Sequence, residues 1–181
     1  PVVSLESAIR HPLQSLADWL TITEHRPAHR PKVVLSWAPH PRPLPQAVAN
    51  SFIEWMKVAD VDLTVAHPEG YELAPEFHEG TAVEHDQRKA LDGADFVYVK
   101  NWSSYHDYGQ VKINSPEWMI TPEKMSLTRE GRFMHCPPVR RNGVIADAVI
   151  DHPRSLHLQQ SHNRTWAAAA AIEALLQPQN H

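Results

Sequence analysis

Three things are scarce in this chain of 181 residues, and each scarcity argues against a class of protein. There is a single cysteine, so an internal disulfide or a cysteine-rich metal site is excluded, and a reducing cytoplasm is the simplest location. Positive charge is not in excess, since the net charge is −4, which argues against a surface that binds nucleic acid. No apolar run approaches the roughly 18–20 residues that cross a bilayer. We therefore expect a cytoplasmic protein with neither nucleic acid nor a membrane as a partner.

Cofactor motifs are scarce as well. Neither GxGxxG nor GxxxxGK[ST] occurs, so no nucleotide is implied. The 13 histidines invite a metal hypothesis, but the prolines of HRPAHRP, 25–31, prevent His25 and His29 from sharing a regular helix face. The later histidines follow no ligand spacing. We expect no metal and no cofactor, and a metal-dependent hydrolase remains an alternative that would require a bound metal.

Proline, by contrast, is abundant, with 16 residues, while the hydrophobic share of 42% is ordinary for a globular protein. The length suits one domain or slightly more. The chain opens PVVSLES, with no methionine and with an apolar, strand-like segment directly after Pro1. We therefore expect it to be a piece of a longer protein.

The spacing of apolar residues predicts helices and short strands in alternation. Helices are expected at 12–23, 46–59, 86–92 and 161–176. Strands are expected at 32–37, 62–67, 81–86, 94–100, 132–136 and 155–159. Connections long enough for crossovers favour an α/β fold, in which helices flank a parallel sheet of about five strands.

Polar clusters follow three of the predicted strands at their carboxyl ends. WAPHPRP follows the first strand, KNWSSYHDYG follows the fourth, and HCPPVRRN follows the fifth. In parallel α/β sheets, ligands bind beyond the carboxyl ends of the strands. The sequence therefore predicts one binding site to which all three clusters contribute.

A further candidate site lies at the start of the first predicted helix, at HPLQ, 11–14. Free backbone N–H groups and the helix dipole favour an anion or a polarised oxygen there. His11 and Gln14 are three residues apart, so both could donate to one carbonyl oxygen. The alternative is a proline-initiated helix with His11 as its cap. Glu6 could accept hydrogen bonds from a substrate ammonium group, or it could cap that helix.

Cationic residues at the later strand ends are candidate anion ligands. Lys100 could dock a substrate carboxylate, although a lone lysine at a strand end is more often solvated. Arg140 and Arg141 could bind phosphate or carboxylate bidentately, although paired arginines are often salt-bridged. Arg164, near the start of the last predicted helix, is a third candidate for an anion.

The single cysteine, Cys136, is a candidate nucleophile only if a base lies beside it. His135 precedes it in a predicted strand, so the two side chains should point to opposite faces of the sheet. The alternative is that the sulfur packs against its neighbours and that the backbone carbonyl of Cys136 binds the ligand.

Five stretches of the chain occur in a fixed order: HPLQ, WAPHPRPLPQAV, DFVYVKNW, HCPPVRRN and NRTWAAAAAIEALL. In that order and spacing they resemble the aspartate/ornithine carbamoyltransferase family, and most of all its N-acylornithine branch. The similarity runs through essentially the whole chain. The resemblance implies two α/β domains, the first of which binds carbamoyl phosphate through a Ser-x-Arg-Thr-Arg loop. Because that loop is not found here, only the second, amino-acid-binding half is matched.

The resemblance also implies a division of the chain. Residues 1–24 would be the end of the N-terminal domain and an interdomain helix, 25–160 the ornithine-binding α/β domain, and 161–177 the C-terminal interdomain helix. The carbamoyl-phosphate domain would be absent, and the full-length protein would be a homotrimer. The apolar face of the last helix, with Trp166 and Leu176, should then be partly exposed.

The implied activity is carbamoyl transfer from carbamoyl phosphate to the δ-amine of an N-acylornithine in arginine biosynthesis, without a cofactor. His11 and Gln14 would polarise the carbonyl oxygen of carbamoyl phosphate. Cys136 and Pro137 would offer backbone carbonyls to its amino group, and Arg164 would hold another part of it. The residues expected to contact the acylated ornithine are Glu6, His40, Lys100 and Arg140.

Two departures from the family pattern bear on this expectation. Pro137 stands where the family usually has leucine, which removes an N–H donor and a packing side chain. Val144 stands where the N-acetylornithine branch has a lysine, which favours N-succinylornithine as substrate, with N-acetylornithine next. The chain by itself is expected to be inactive. The alternative is a non-catalytic module that binds an amino acid or anion and derives from this fold.

Overall fold

The computed structural model of the protein describes residues 2–113 and 115–177, where strands alternate with helices. The strands are β1 (Lys32–Trp37), β2 (Asp62–Ala66), β3 (Ala82–Glu84), β4 (Phe96–Lys100) and β5 (Arg132–Met134). The helices are α1 (Pro12–Glu24), α2 (Ala47–Val58), α3 (Pro75–His78), α4 (Gln87–Leu91), α5 (Pro122–Met125), α6 (Asp147–Ile150) and α7 (His157–Leu176). Pro116–Trp118 forms a single 3-10 turn. The α/β fold class expected from the sequence is confirmed.

The strands of the described ranges form one parallel sheet in the order β3-β2-β1-β4-β5. β1 is central, and its Val34 lies opposite Thr64 of β2 on one side and Val97 of β4 on the other. The chain builds outward from β1 through β2 and β3, and then returns to add β4 and β5 on the other side. The strand order therefore switches between β1 and β4. Loops that leave the carboxyl ends of two such strands diverge and form a crevice.

The sheet is buried on both faces, which is why β1 and β4 are continuous apolar runs. Val33, Val34 and Leu35 have no exposed surface. On one face, Phe52 of α2 packs against Tyr98 of β4, with 4.6 Å between the ring centroids. This contact holds α2 against the middle of β4.

The first and last helices, α1 and α7, lie against each other through polar contacts. Asn163 Nδ2 donates to Thr21 Oγ1 at 3.0 Å, and Gln159 Nε2 donates to a carboxylate oxygen of Glu24 at 2.7 Å. The outer face of α7 stays open, with Trp166 59% and Leu176 73% exposed. The expected exposure of this apolar face is confirmed. None of the described helices is both long and apolar enough to cross a membrane.

The prediction of a last strand at 155–159 is wrong. Ser155 makes only an isolated bridge to Phe133, and α7 begins at His157. The alternation of Leu156 and Leu158 suggested a strand, but a stretch this short is compatible with either period. The long alanine-rich helix that follows extends backwards over it, because propagating a helix is easier than starting one.

The opening segment, 2–10, contains neither helix nor strand, so its strand-like appearance was misleading. It is held to the body of the molecule by Arg10, which pairs with Glu54 of α2 at 2.8 Å and lies 4.9 Å above the ring of Phe77. This anchor places Glu6 beside the carboxyl end of the sheet.

Candidate functional site

A cavity of about 540 Å³ opens at the carboxyl ends of β1 and β4, at the switch in strand order. All three polar clusters that follow the strands contribute to its lining, together with Glu6 from the opening segment. The four residues predicted to contact an amino-acid substrate line it together: Glu6, His40, Lys100 and Arg140. The predicted meeting of the three clusters is therefore confirmed.

Charges at the mouth of the cavity are predominantly positive. Lys100 and Arg140 line it, as does Arg42, against the single carboxylate of Glu6. His40 is held in place because its Nδ1 atom accepts a hydrogen bond from the backbone N–H of Arg42 at 3.1 Å. Such a lining suits a ligand that carries carboxylates and one ammonium group.

The two adjacent arginines have different surroundings. Arg141 donates to Asp147 at 2.9 Å and to Asp151 at 2.6 Å, and these hydrogen bonds raise its pKa. Arg140 lines the cavity and makes no ion pair with any residue in the described ranges. Of the two alternatives, salt bridge or ligand, Arg141 fits the first, and Arg140 has the position required for the second.

Cys136 is buried, and its Sγ atom lies 3.2 Å from Lys100 Nζ. The His135 ring points elsewhere, with its Nδ1 atom 2.7 Å from the carbonyl oxygen of Val99. Burial lowers the pKa of His135 to about 4, so the ring is neutral at pH 7. The expected separation of the histidine from the thiol is confirmed, so His135 is not positioned to act as a base for the sulfur.

The backbone after β5 turns at a cis peptide between Pro137 and Pro138. Within the described residues, no hydrogen bond ends on the carbonyl oxygen of Cys136 or of Pro137. By contrast, the carbonyl oxygen of Pro138 lies 3.3 Å from His135 Nε2. Two adjacent carbonyls therefore have the capacity to accept hydrogen bonds from a ligand.

His11 directly precedes α1, and Pro12 occupies the first helical position. The proline-initiated helix with His11 at its N-cap is confirmed, although the histidine side chain makes no cap hydrogen bond. Its Nε2 atom instead lies 3.8 Å from Glu6. Burial lowers the pKa of His11, Glu6 opposes the shift, and the positive charges of Arg164 and Lys100 add to it. Glu6, Arg164 and Lys100 therefore all act electrostatically on His11.

Gln14 lies deeper than expected. Its side chain is buried and does not line the cavity, and its Nε2 atom donates to Asp18 Oδ1 at 2.7 Å. Arg164, on α7, is exposed and also lies outside the cavity lining. None of the residues assigned to carbamoyl phosphate lines the cavity, whereas those assigned to the amino acid do.

Four residues of this region were not predicted from the sequence: Asp18, Arg42, His135 and Gln160. Asp18 carried a usable signal, since it follows Gln14 by four residues on the same helix face. Arg42 lies inside a cluster already singled out, and His135 was considered only as a neighbour of the cysteine. Gln160 carried no local signal, because its partner Asp18 lies 142 residues away.

Comparison with known proteins places this architecture in one family. A family model described as the Asp/Orn binding domain of aspartate/ornithine carbamoyltransferase matches residues 45–175. The chain therefore belongs to the aspartate/ornithine carbamoyltransferase family.

Several relatives lie within the N-acylornithine branch. The chain is 51% identical over 179 residues to the N-succinylornithine carbamoyltransferase of Bacteroides thetaiotaomicron, covering 98% of the chain and 56% of the relative. It is 34% identical over 196 residues to the N-acetylornithine carbamoyltransferase of Xanthomonas axonopodis pv. citri, covering 97% of the chain and 57% of the relative. The chain thus spans little more than half the length of these relatives.

A solved structure of similar shape carries ligands. It is a mutant N-acetyl-L-ornithine transcarbamylase complexed with carbamyl phosphate and N-succinyl-L-norvaline. The TM-score is 0.88 at 32% identity, and the match covers 97% of this chain and 59% of that one.

Proposed function

We propose that this chain is the amino-acid-binding half of a carbamoyltransferase. The reaction would transfer the carbamoyl group of carbamoyl phosphate to the δ-amine of an N-acylornithine, as a step of arginine biosynthesis. The observation that carries the proposal is the cavity at the β1–β4 switch, where Lys100 and Arg140 face Glu6 in a chain 51% identical to an N-succinylornithine carbamoyltransferase.

The charge pattern of the cavity matches an acylated ornithine. Acylation neutralises the α-amine, so the substrate retains an α-carboxylate, the δ-ammonium group and, in the succinyl form, a second carboxylate. Lys100 and Arg140 are suited to the carboxylates and Glu6 to the δ-ammonium group, with His40 as a further polar contact. The same cavity would reject a ligand of uniformly positive charge.

Carbamoyl phosphate would lie between this cavity and α1. His11 and Gln14 would hold its carbonyl oxygen, the carbonyls of Cys136 and Pro137 would accept from its amino group, and Arg164 would hold another part of it. The δ-ammonium group first loses a proton to solvent, and the free amine attacks the carbamoyl carbon; the carbon–oxygen bond to phosphate then breaks, and the leaving phosphate takes up the second proton from the nitrogen. Positioning and electrostatic stabilisation of the tetrahedral intermediate supply the rate, with no covalent enzyme intermediate.

N-succinylornithine is the favoured substrate and N-acetylornithine the second. Higher identity to the N-succinylornithine relative supports this order, at 51% against 34%. Val144 lines the cavity and leaves it without the lysine of the N-acetylornithine branch. In addition, the cationic mouth has room for a second carboxylate.

Because carbamoyl phosphate would bind mainly to a separate domain, this chain should be inactive by itself. Residues 1–24 and 161–177 would connect it to a carbamoyl-phosphate domain, 25–160 would bind the amino acid, and the whole enzyme would be a cytoplasmic homotrimer. The exposed apolar face of α7 supports a covering partner of this kind.

Two measurements test the proposal. Isothermal titration of this chain with N-succinylornithine, N-acetylornithine and ornithine should give binding in that order of affinity. A chimaera, in which the chain is fused behind the unmatched part of the Bacteroides thetaiotaomicron enzyme, should form N-succinylcitrulline from carbamoyl phosphate, whereas the chain alone should not.

Each failure has a distinct meaning. Binding without turnover in the chimaera would support the alternative, a non-catalytic module that binds an amino acid or anion. Absence of binding to any acylornithine, with the chain shown to be folded, would overturn the assignment of the cavity.

A further inference from the structure

A buried carboxyl group lies behind the site, between α1, α7 and β4. Asp18 has no exposed surface, and its Oδ1 atom accepts hydrogen bonds from Gln14 Nε2 at 2.7 Å and from Gln160 Nε2 at 2.6 Å. The Oε1 atom of Gln160 accepts in turn from the backbone N–H of His135 at 2.8 Å. One oxygen atom therefore connects the HPLQ turn to the loop after β5.

Asp18 gives two buried amide groups an acceptor, but a buried carboxyl group is a costly way to do so. The second oxygen, Oδ2 of Asp18, makes no hydrogen bond of good geometry in the described part of the chain, and the hydroxyl of Tyr98, which is also unpaired, lies near enough to lower the pKa of Asp18. Burial raises the pKa of Asp18 to about 7, while the hydrogen bonds from Gln160 and Gln14 oppose the shift. An apolar side chain of similar volume would avoid this desolvation penalty.

We infer that Asp18 is a positioning residue of the carbamoyl-transfer site, an inference that rests on the function proposed above. Its Oδ1 atom fixes the amide of Gln14 directly. Through Gln160 it also fixes the loop from which the Cys136 and Pro137 carbonyls project. Those groups are assigned to opposite ends of the carbamoyl group, its carbonyl oxygen and its amino nitrogen. One atom thus sets the spacing between the two halves of the carbamoyl-binding site.

The expected consequence is a loss of rate without a loss of amino-acid affinity. A displacement of about 1 Å in a site that acts by positioning lowers the rate by roughly 100-fold. Lys100 and Arg140 make no hydrogen bond to Asp18, Gln14 or Gln160 within the described ranges, and Lys100 acts on Asp18 only through its charge. The mouth of the cavity should therefore bind the acylornithine as before.

The decisive experiment compares Asp18→Leu and Asp18→Asn in the active chimaera. Asp18→Leu removes the acceptor at similar volume and should lower kcat by about 10- to 100-fold with little change in KM for N-succinylornithine. Asp18→Asn keeps an oxygen at Oδ1 and should retain most of the rate. Asp95→Leu is the matched control, because Asp95 is buried at the opposite end of β4 and accepts from the backbone N–H of Lys32 at 2.8 Å. It should lower stability and leave kcat unchanged.

A second variant and a second readout keep the test decisive if Asp18→Leu does not fold. Gln160→Met breaks the link to His135 and leaves the Gln14–Asp18 bond intact. Hydrogen exchange of this chain alone should then show faster exchange of the His135 amide, since its acceptor is gone. In the chimaera, the same variant should lower kcat more than KM changes.

The outcomes separate the two proposals. An active chimaera whose kcat is indifferent to Asp18→Leu and Gln160→Met would overturn the positioning role and leave the proposed function standing. Equal losses of kcat in Asp18→Asn, Asp18→Leu and Asp95→Leu would also overturn it, because they would show a structural role only. A wild-type chimaera without carbamoyl transfer would overturn the proposed function and this inference together.

Discussion

The inner and outer sides of the site differ in how their polar groups are satisfied. On the inner side, the side chains of Gln14 and Gln160 converge on Asp18, out of contact with water. On the outer side, Lys100 and Arg140 line an open cavity and make no ion pair with any described residue. Groups bonded to one another hold geometry, whereas cations without a carboxylate partner are available to an anionic ligand, even though Lys100 also donates to Cys136 Sγ. The difference assigns positioning to the inner side and binding to the outer side.

The largest effect is expected on the inner side of the site, where the titration of Asp18 should make the free energy of unfolding depend on pH. The pKa of Asp18 is raised to about 7 in the fold, from an ordinary value of 3.8. Between these values the folded chain holds a proton that the unfolded chain has lost, so this group's contribution to stability is full below pH 3.8 and is lost as pH rises towards 7. The slope is about 1.4 kcal/mol per pH unit, up to about 4 kcal/mol in all.

His135 should oppose this trend. Its pKa is lowered to about 4 from 6.5, so stability from this group is full above pH 6.5 and is lost as pH falls through that range towards 4. In the wild-type chain, the contributions of Asp18 and His135 to the pH dependence of stability therefore nearly cancel. Asp18→Asn should unmask the histidine, giving stability that rises with pH between about 4 and 6.5. Guanidinium unfolding curves recorded across this range test it, and parallel pH profiles for wild type and variant would contradict the prediction.

The next largest effect is expected on the outer side, where substitutions of Arg140 and of Arg141 should differ in how much they weaken substrate binding. Arg140→Gln removes a charge that faces the cavity and should weaken binding of N-succinylornithine by about 10- to 100-fold. Arg141→Gln is the matched control, since that guanidinium is already paired with Asp147 and Asp151. Its dissociation constant, measured by titration, should stay near the wild-type value. Equal losses in both variants would contradict the assignment.

A smaller effect is expected for Glu6, whose side chain is 58% exposed. Glu6→Gln should raise the dissociation constant of N-succinylornithine by less than about fivefold, because water screens an exposed pair. The difference between wild type and variant should shrink further between low and high salt. An effect independent of salt would show that the ligand displaces water at Glu6 more completely than the open structure suggests.

The smallest effect should be the loss of stability in Arg141→Gln. Its partners are half-exposed, and ion pairs of this kind contribute little. The midpoint of thermal unfolding should fall by no more than a few degrees. A much larger fall would show that the turn after β5 depends on this pair, and would weaken the use of Arg141→Gln as a control.

Prediction from the sequence succeeded for elements in which the apolar residues keep one spacing, that of a strand or that of a helix, from end to end. The strand at 32–37 and the helix at 12–23 match β1 and α1 within one residue, because an apolar run or a helical spacing filled the whole element. It failed at 155–159, where the stretch was too short to separate a strand from the start of a helix. It also failed at the opening apolar segment, which forms no strand.

For the candidate site, the sequence was informative about which residues carry charge and less informative about where they point. The clusters around His40, Lys100 and Arg140 could be located because loops at strand ends follow from topology. The depth of Gln14 could not be predicted, since it depends on a carboxyl group and a second helix that meet only in the folded chain.

By itself, the sequence determined the α/β class, the succession of elements and the three strand ends at which polar residues gather. These depend on the periods of nearby side chains, which act over one element at a time. Only the tertiary structure decided that Arg140 faces the cavity while Arg141 is paired. It also decided that residues 142 positions apart share one buried oxygen. These contacts depend on packing between elements that are distant in the sequence, so no local pattern predicts them.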